Sequence, residues 1–202
     1  IRTLMESDGD ITMVTTGPMT NLGMAIRMEP RIVPKIKRIV LMGGAYTNGN
    51  VTPAAEFNII ADADAAYVCF TSGRPITMIG LDVTRKALCY PSIVDRMDKI
   101  GNKASKLFVD LMRHFCKSQK EVFGWEGGPL HDPITIAWLI DPSVVETKPM
   151  HAEIDIRSVQ SYGRTNCDFF GYQKLEPNAD VGIDIDAEKF WDMVEEVLKM
   201  YD

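Results

Sequence analysis

Three short apolar runs, each stopped by glycine and each followed by a stretch with helical spacing, constrain this chain more than any other feature. Ile11-Thr12-Met13-Val14-Thr15 breaks at Gly17-Pro18, Arg38-Ile39-Val40-Leu41-Met42 ends in Gly43-Gly44, and Pro75–Ile79 ends at Gly80. Runs this short, rich in β-branched residues and free of alternation, are expected of strands buried on both faces. Helical patterns lie between them, one running through Met28 with Pro18 at its first position, another near Asp64–Ser72 closed by Gly73. Strands alternating with helices predict βαβ units and a mostly parallel, Rossmann-like α/β sheet flanked by helices.

The second half continues the pattern. Pro91–Val122 predicts two helices broken near Gly101-Asn102, and Ile134–Ile140 predicts a buried helix stopped by Asp141-Pro142. Strands are expected near Met150–Ile156, Thr165–Phe170 and Val181–Ile185, with a final helix from about Ala187 to Met200. No repeat or linker interrupts the 202 residues, a length that suits one domain. Ile1–Met5 looks like the end of an amphipathic helix, and the expectation is a domain incomplete at its N-terminus.

Composition removes several classes of partner. The net charge is −6 and the Lys and Arg residues form no stripe, which argues against nucleic acid. No apolar run suits a bilayer span. The four cysteines, Cys69, Cys89, Cys116 and Cys167, make no C-x-x-C pair, as expected of reduced thiols in the cytoplasm.

Ligands of open parallel sheets bind beyond the carboxyl ends of the strands. Two segments near such ends carry chemistry. In Asn50-Val51-Thr52-Pro53-Ala54-Ala55-Glu56-Phe57-Asn58, an extended backbone would point Glu56 and Asn58 to one side, a pairing suited to a sugar's hydroxyls. An ordinary surface loop turning at Asn48-Gly49 explains the same residues. In Gly127-Gly128-Pro129-Leu130-His131-Asp132-Pro133, Asp132 could simply cap the next helix. His131 beside it could donate a proton or bind a ligand. His114 and His151 lack such a setting.

Five segments occur together in order: Val14–Asn21, Val40–Ala45, Thr52–Asn58, Gly80-Leu81-Asp82-Val83-Thr84 and Leu130–Pro133. In this order they resemble the inosine-uridine-type nucleoside hydrolases across essentially the whole chain. Gly163-Arg164-Thr165 with Cys167-Asp168, and Gly49–Pro53, look most like the pyrimidine-preferring bacterial members. The resemblance implies the nucleoside hydrolase fold and hydrolysis of the N-glycosidic bond of ribonucleosides to ribose and free base, supported by Ca²⁺. It implies Asp132 and the Thr16 carbonyl as calcium ligands, Asn50, Glu56 and Asn58 on the ribose, Met42 beneath the sugar and His131 near the leaving base. Gln119 would read a base edge, and Phe123 or Trp125 would stack on the base, although helix packing also accounts for the aromatics. A homodimer or homotetramer is the implied assembly.

One family feature has no counterpart here. The opening motif Asp-x-Asp-x-Gly-x-Asp-Asp, which supplies the general base and most calcium carboxylates, is not in these residues. Ser7-Asp8-Gly9-Asp10 is a turn, and Asp82 is expected to support a neighbouring site residue or to form a turn. The calcium site is therefore expected to be incomplete, and the 202 residues alone inactive. The alternatives are a nucleoside-binding protein without activity and a fragment without function.

Overall fold

The computed structural model describes residues 1–202. Its strands are β1 (Ile11–Thr15), β2 (Ile36–Met42), β3 (Ile76–Ile79), β4 (Leu88–Cys89), β5 (Gly128–Pro129), β6 (Val145–Met150), β7 (Ala152–Ile154), β8 (Thr165–Cys167) and β9 (Ala179–Ile185). The helices are α1 (Arg2–Glu6), α2 (Thr20–Met28), α3 (Phe57–Ile60), α4 (Ala63–Phe70), α5 (Leu81–Thr84), α6 (Pro91–Asp98), α7 (Lys103–Phe123), α8 (Pro133–Ile140) and α9 (Ala187–Lys199). Strands and helices alternate, so the chain is an α/β protein.

The main sheet has the order β1-β2-β3-β9-β6, and the pairs β1–β2, β2–β3 and β3–β9 are all parallel. Register brings the strand ends level: Thr15 lies opposite Leu41, and Met42 opposite Ile79. Thr16, Gly43 and Gly80 therefore leave the sheet along one carboxyl edge. Two glycines are required there by geometry. Gly44 has φ +75°, and a Cβ on it would sit 2.6 Å from the Thr165 hydroxyl. A Cβ on Gly80 would sit 2.8 Å from the Gly44 carbonyl oxygen, which accepts the Leu81 N–H at 3.0 Å.

The backbone divides into two compact units, Ile1–Val83 with Glu146–Asp184, and Thr84–Val145 with Ile185–Asp202. The first buries a continuous core of Ile36, Ile39 and Leu41 from β2, Ile76 and Met78 from β3, and the inner faces of α2 and α4. The second is helical. Val94, Met97, Val109, Ile134, Trp138, Phe190 and Trp191 are buried in it. Arg96 on α6 reaches α9, bonding Asp192 at 2.6 Å and pairing with Glu195. No helix is long and apolar enough to cross a membrane.

Three local expectations need correction. Pro18 lies ahead of α2, whose N-cap is Met19, so the proline shapes the turn and not the first helical position. Glu56–Asn58 is not extended. Phe57–Ile60 is a helical turn capped by Glu56, because its carboxylate offers acceptors to the otherwise unpaired first N–H groups. Nor is α8 buried all round. Ile134, Ala137 and Trp138 face inward, while Ile136, Leu139 and Ile140 are exposed.

Candidate functional site

The first unit builds one half of the candidate residues at the carboxyl edge of its sheet. Met42, the last residue of β2, is buried, and its carbonyl accepts from the Asn58 carboxamide at 3.0 Å. The same Asn58 nitrogen lies 3.4 Å from the Met42 sulfur. Glu56 is only 3% exposed, and its carboxylate accepts from the Gly44 N–H at 2.9 Å, from the Asn58 N–H at 2.9 Å and from the Ile59 N–H at 3.3 Å. A buried carboxylate requires compensation of this kind. Asn50, exposed on the preceding loop, accepts the Phe57 N–H at 2.9 Å through its side-chain oxygen. Met42, Asn50, Glu56 and Asn58 thus converge on one short stretch of backbone around α3. Thr16 lies exposed just beyond the end of β1 in the same unit.

Asp82 belongs to this edge as well. Its carboxylate accepts the Tyr46 N–H at 2.7 Å and the Thr47 hydroxyl, so it holds the loop that follows Gly43-Gly44. That is the turn-forming role its position after β3 suggested.

The second unit carries the other candidates. The β4–β5 ladder pairs Leu88 with Pro129 and Cys89 with Gly128, delivering the chain to His131 and Asp132 at the start of α8. Nδ1 of His131 lies 2.7 Å from the buried Thr84 hydroxyl. Burial, then the nearby Arg85 charge, push the imidazole down to about 4, so it is neutral at neutral pH. Asp132 occupies the N-cap position of α8 but makes no side-chain capping bond. Its carboxyl is exposed on one side, and desolvation by the chain on the other raises its pKa. A pocket lined by Phe108, Met112, Phe115, Leu130, His131 and Asp132 opens beside it.

Gln119 and Phe123 follow one another on α7, Gln119 half-buried and Phe123 exposed. Phe123 stacks on Trp125 with ring centroids 5.0 Å apart, and the Arg85 guanidinium sits 5.7 Å from the Trp125 ring centroid. Thr84 and Arg85 are the residues that sequence reasoning did not connect to His131. The Gly80–Thr84 motif was visible, but nothing in it names a partner 47 positions away.

The sequence profile described as "Inosine-uridine preferring nucleoside hydrolase" matches residues 1–192. The chain belongs to the inosine-uridine preferring nucleoside hydrolase family. It is 50% identical over 201 residues to the pyrimidine-specific ribonucleoside hydrolase RihB of Shigella flexneri serotype 5b, covering 100% of this chain and 64% of that protein. A putative pyrimidine-specific ribonucleoside hydrolase RihB of Shigella boydii serotype 4 is 51% identical over 201 residues, covering 100% of this chain and 83% of its own length. Among solved structures, a purine-preferring ribonucleoside hydrolase from Gardnerella vaginalis superposes with a TM-score of 0.87 at 33% identity, over 98% of this chain and 65% of that one. The chain thus spans about 64% of the length of the Shigella flexneri nucleoside hydrolase.

Membership in the nucleoside hydrolase family implies Ca²⁺. The Asp132 carboxylate, left uncommitted by the helix it begins, suits one position in a coordination shell of hard oxygens. No group of three or more His, Cys, Asp or Glu side chains comes together anywhere in the 202 residues. Calcium takes about 6–8 oxygen ligands, several of them carboxylate. The side chains of this chain do not by themselves make that site.

Proposed function

We propose that these residues serve hydrolysis of the N-glycosidic bond of pyrimidine ribonucleosides, uridine and cytidine, to ribose and free base. The observation that carries the reading is the His131-Asp132 pair, a neutral imidazole anchored on Thr84 beside a carboxylate that its own helix does not use. Identity of 50% over 201 residues to a pyrimidine-specific ribonucleoside hydrolase supports the choice of substrate.

Bond cleavage leaves positive charge on the ribose and negative charge on the departing base. On the sugar side, Asn50, Glu56 and Asn58 supply oxygens and a carboxamide already fixed by backbone bonds, with Met42 beneath them. Groups held in place before the reaction stabilise developing charge at little reorganisation cost. On the base side, His131 acts as a hydrogen-bond donor. When the Thr84 hydroxyl donates to Nδ1, the ring proton sits on Nε2, directed away from Thr84. With a pKa of about 4 the ring holds no second proton near neutrality, so it polarises the leaving group without arriving as an imidazolium. Gln119 and the Phe123–Trp125 stack present an amide and an aromatic face to a pyrimidine ring. Asp132 and, separately, the Thr16 carbonyl are this chain's contributions to calcium binding, and an oligomer is the working assembly.

The 202 residues by themselves are inactive or nearly so, because a positioned base that activates water contributes about 10²–10⁴ in rate and none is recognised among them. A reading as a nucleoside-binding protein without activity draws on the same lack of a carboxylate cluster. The test is a reducing-sugar assay with uridine, cytidine and inosine in calcium buffer. It is run on the 202 residues, on any longer gene product that carries them, and on His131→Asn of each. Ribose release from uridine by the longer product alone, reduced in the variant, is the expected result. Ribose release by the 202 residues sinks the claim of inactivity, and a longer product that binds uridine in calorimetry without hydrolysing it sinks the enzyme reading.

A further inference from the structure

The helical unit contains a thiol pair that the proposed hydrolysis does not use. Cys116 lies on α7 and Cys89 on β4, and both are free. The Cys116 thiol donates to the Cys89 carbonyl oxygen at 3.3 Å and accepts the Gly128 N–H at 3.2 Å. Cys89 and Gly128 are themselves cross-strand partners in the β4–β5 ladder. The Cys116 sulfur is therefore seated over one of the two residue pairs that join the strands. Cys89 is fully buried and Cys116 half-buried. Burial first, and then the neighbouring Cys116 thiol, push the Cys89 thiol up to about 12.

The two sulfurs differ in the ways that matter for oxidation. Cys116 is only half-buried and has a backbone N–H directed at its sulfur. Cys89 is sealed and protonated, poorly suited to meet an oxidant but in contact with Cys116. That is the arrangement of an accessible thiol beside a resolving one.

We propose that Cys89 and Cys116 form a reversible intramolecular disulfide under peroxide, clamping the last turns of α7 onto the β4–β5 ladder. The chemistry balances in two steps. The Cys116 thiolate attacks one oxygen of hydrogen peroxide, the O–O bond breaks, and hydroxide leaves, giving the sulfenic acid. The Cys89 sulfur then attacks the Cys116 sulfur, the S–O bond breaks, and the hydroxyl departs as water with the Cys89 proton. Peroxide accepts two electrons and the two thiols supply them. A thiol reductant reverses the change.

The consequence follows from the path of the chain. Gln119 and Phe123 lie on α7 just beyond Cys116, and Gly128 leads through Pro129 and Leu130 to His131. A covalent tie at Cys116 removes independent motion of these two segments.

The experiment treats the purified chain with hydrogen peroxide, blocks remaining thiols with an alkylating reagent, and maps peptides without reduction. The expected result is a linked pair of peptides containing Cys89 and Cys116, an intact mass lower by two hydrogens, and recovery with dithiothreitol. Hydrogen exchange across residues 117–131 should slow in the oxidised form. In Cys89→Ala, Cys116 should advance to the sulfinic acid instead of linking. Unmodified thiols in the wild type overturn the proposal. So do a link between two chains, a link involving Cys69 or Cys167, or sulfinic acid at Cys116 while Cys89 is present.

Discussion

Glu56 satisfies three backbone N–H groups, those of Gly44, Asn58 and Ile59, from a position only 3% exposed. One carboxylate therefore caps α3 and fixes the glycine loop beyond β2. Glu56→Gln keeps the shape but removes the charge and directs an NH₂ group at donors. At least one buried N–H then loses its acceptor, and an unsatisfied buried donor costs about 1–3 kcal/mol. Urea unfolding of Glu56→Gln should show a loss of that size with an unchanged slope. A variant as stable as the wild type would mean that the carboxylate is not structural, and that its place at the strand edge serves a ligand alone. Asn58 differs in kind, since its carboxamide spends a donor on the Met42 carbonyl and keeps its oxygen for other partners. His131 likewise spends Nδ1 on Thr84. Asn58 and His131 each give one polar atom to the fold in this way.

At the scale of elements, β2 and β3 were legible because burial on both faces writes continuous apolar runs. By contrast β1, expected to be buried likewise, is only half-buried along its length and was betrayed by its β-branched residues. Ile11–Thr15 and Arg38–Met42 correspond to β1 and β2 within two residues, and the break at Gly101-Asn102 separates α6 from α7. Asn102 caps α7 through its side-chain oxygen, a local signal that needs no tertiary context. The Glu56–Asn58 backbone was misread for the opposite reason. The capping bonds to the Asn58 and Ile59 N–H groups are local, but Glu is not among the usual capping residues, and the Gly44 N–H that also binds this carboxylate lies twelve positions back in the chain. The same holds for α8, whose unbroken apolar run concealed that Ile136, Leu139 and Ile140 are exposed. Candidate residues were named from ordered motifs, but the link of His131 to Thr84 and Arg85 was not, since pairing across the fold leaves no mark on spacing.

The stop of α8 carries its own prediction. Asp141 is held down to about 2 by the Lys189 ammonium first, then by the Ser143 hydroxyl and N–H. A carboxylate depressed in the folded state adds stability that is fully present above its ordinary value near 3.8 and fades as pH falls toward about 2. Asp141→Asn should therefore unfold at lower urea than the wild type at pH 7. The gap should narrow as pH drops below 4, where the wild-type carboxylate protonates. A gap that stays constant through that range would show that the depression of this carboxyl, by Lys189 or by Ser143, contributes nothing to stability.

For the whole molecule the deciding question is calcium. The family to which the chain belongs implies the ion, yet across both compact units no three metal-ligating side chains gather. Binding to the folded state alone raises stability by RT ln(1 + [L]/Kd), about 2.7 kcal/mol when calcium exceeds Kd a hundredfold. In a chain of 202 residues that corresponds to a rise in midpoint of roughly 5–10 °C, well outside the scatter of a thermal scan. Asp132 with a backbone carbonyl cannot supply such affinity, since the remaining positions would go to water. The midpoint of the 202-residue protein should accordingly be the same with EDTA as with millimolar Ca²⁺, and Asp132→Asn should leave it unchanged in both. A rise of several degrees with Ca²⁺, abolished by Asp132→Asn, would show that these residues hold the ion after all. The claim that they cannot hydrolyse uridine on their own would then lose its physical basis, because the ion that orders water and ribose would be present.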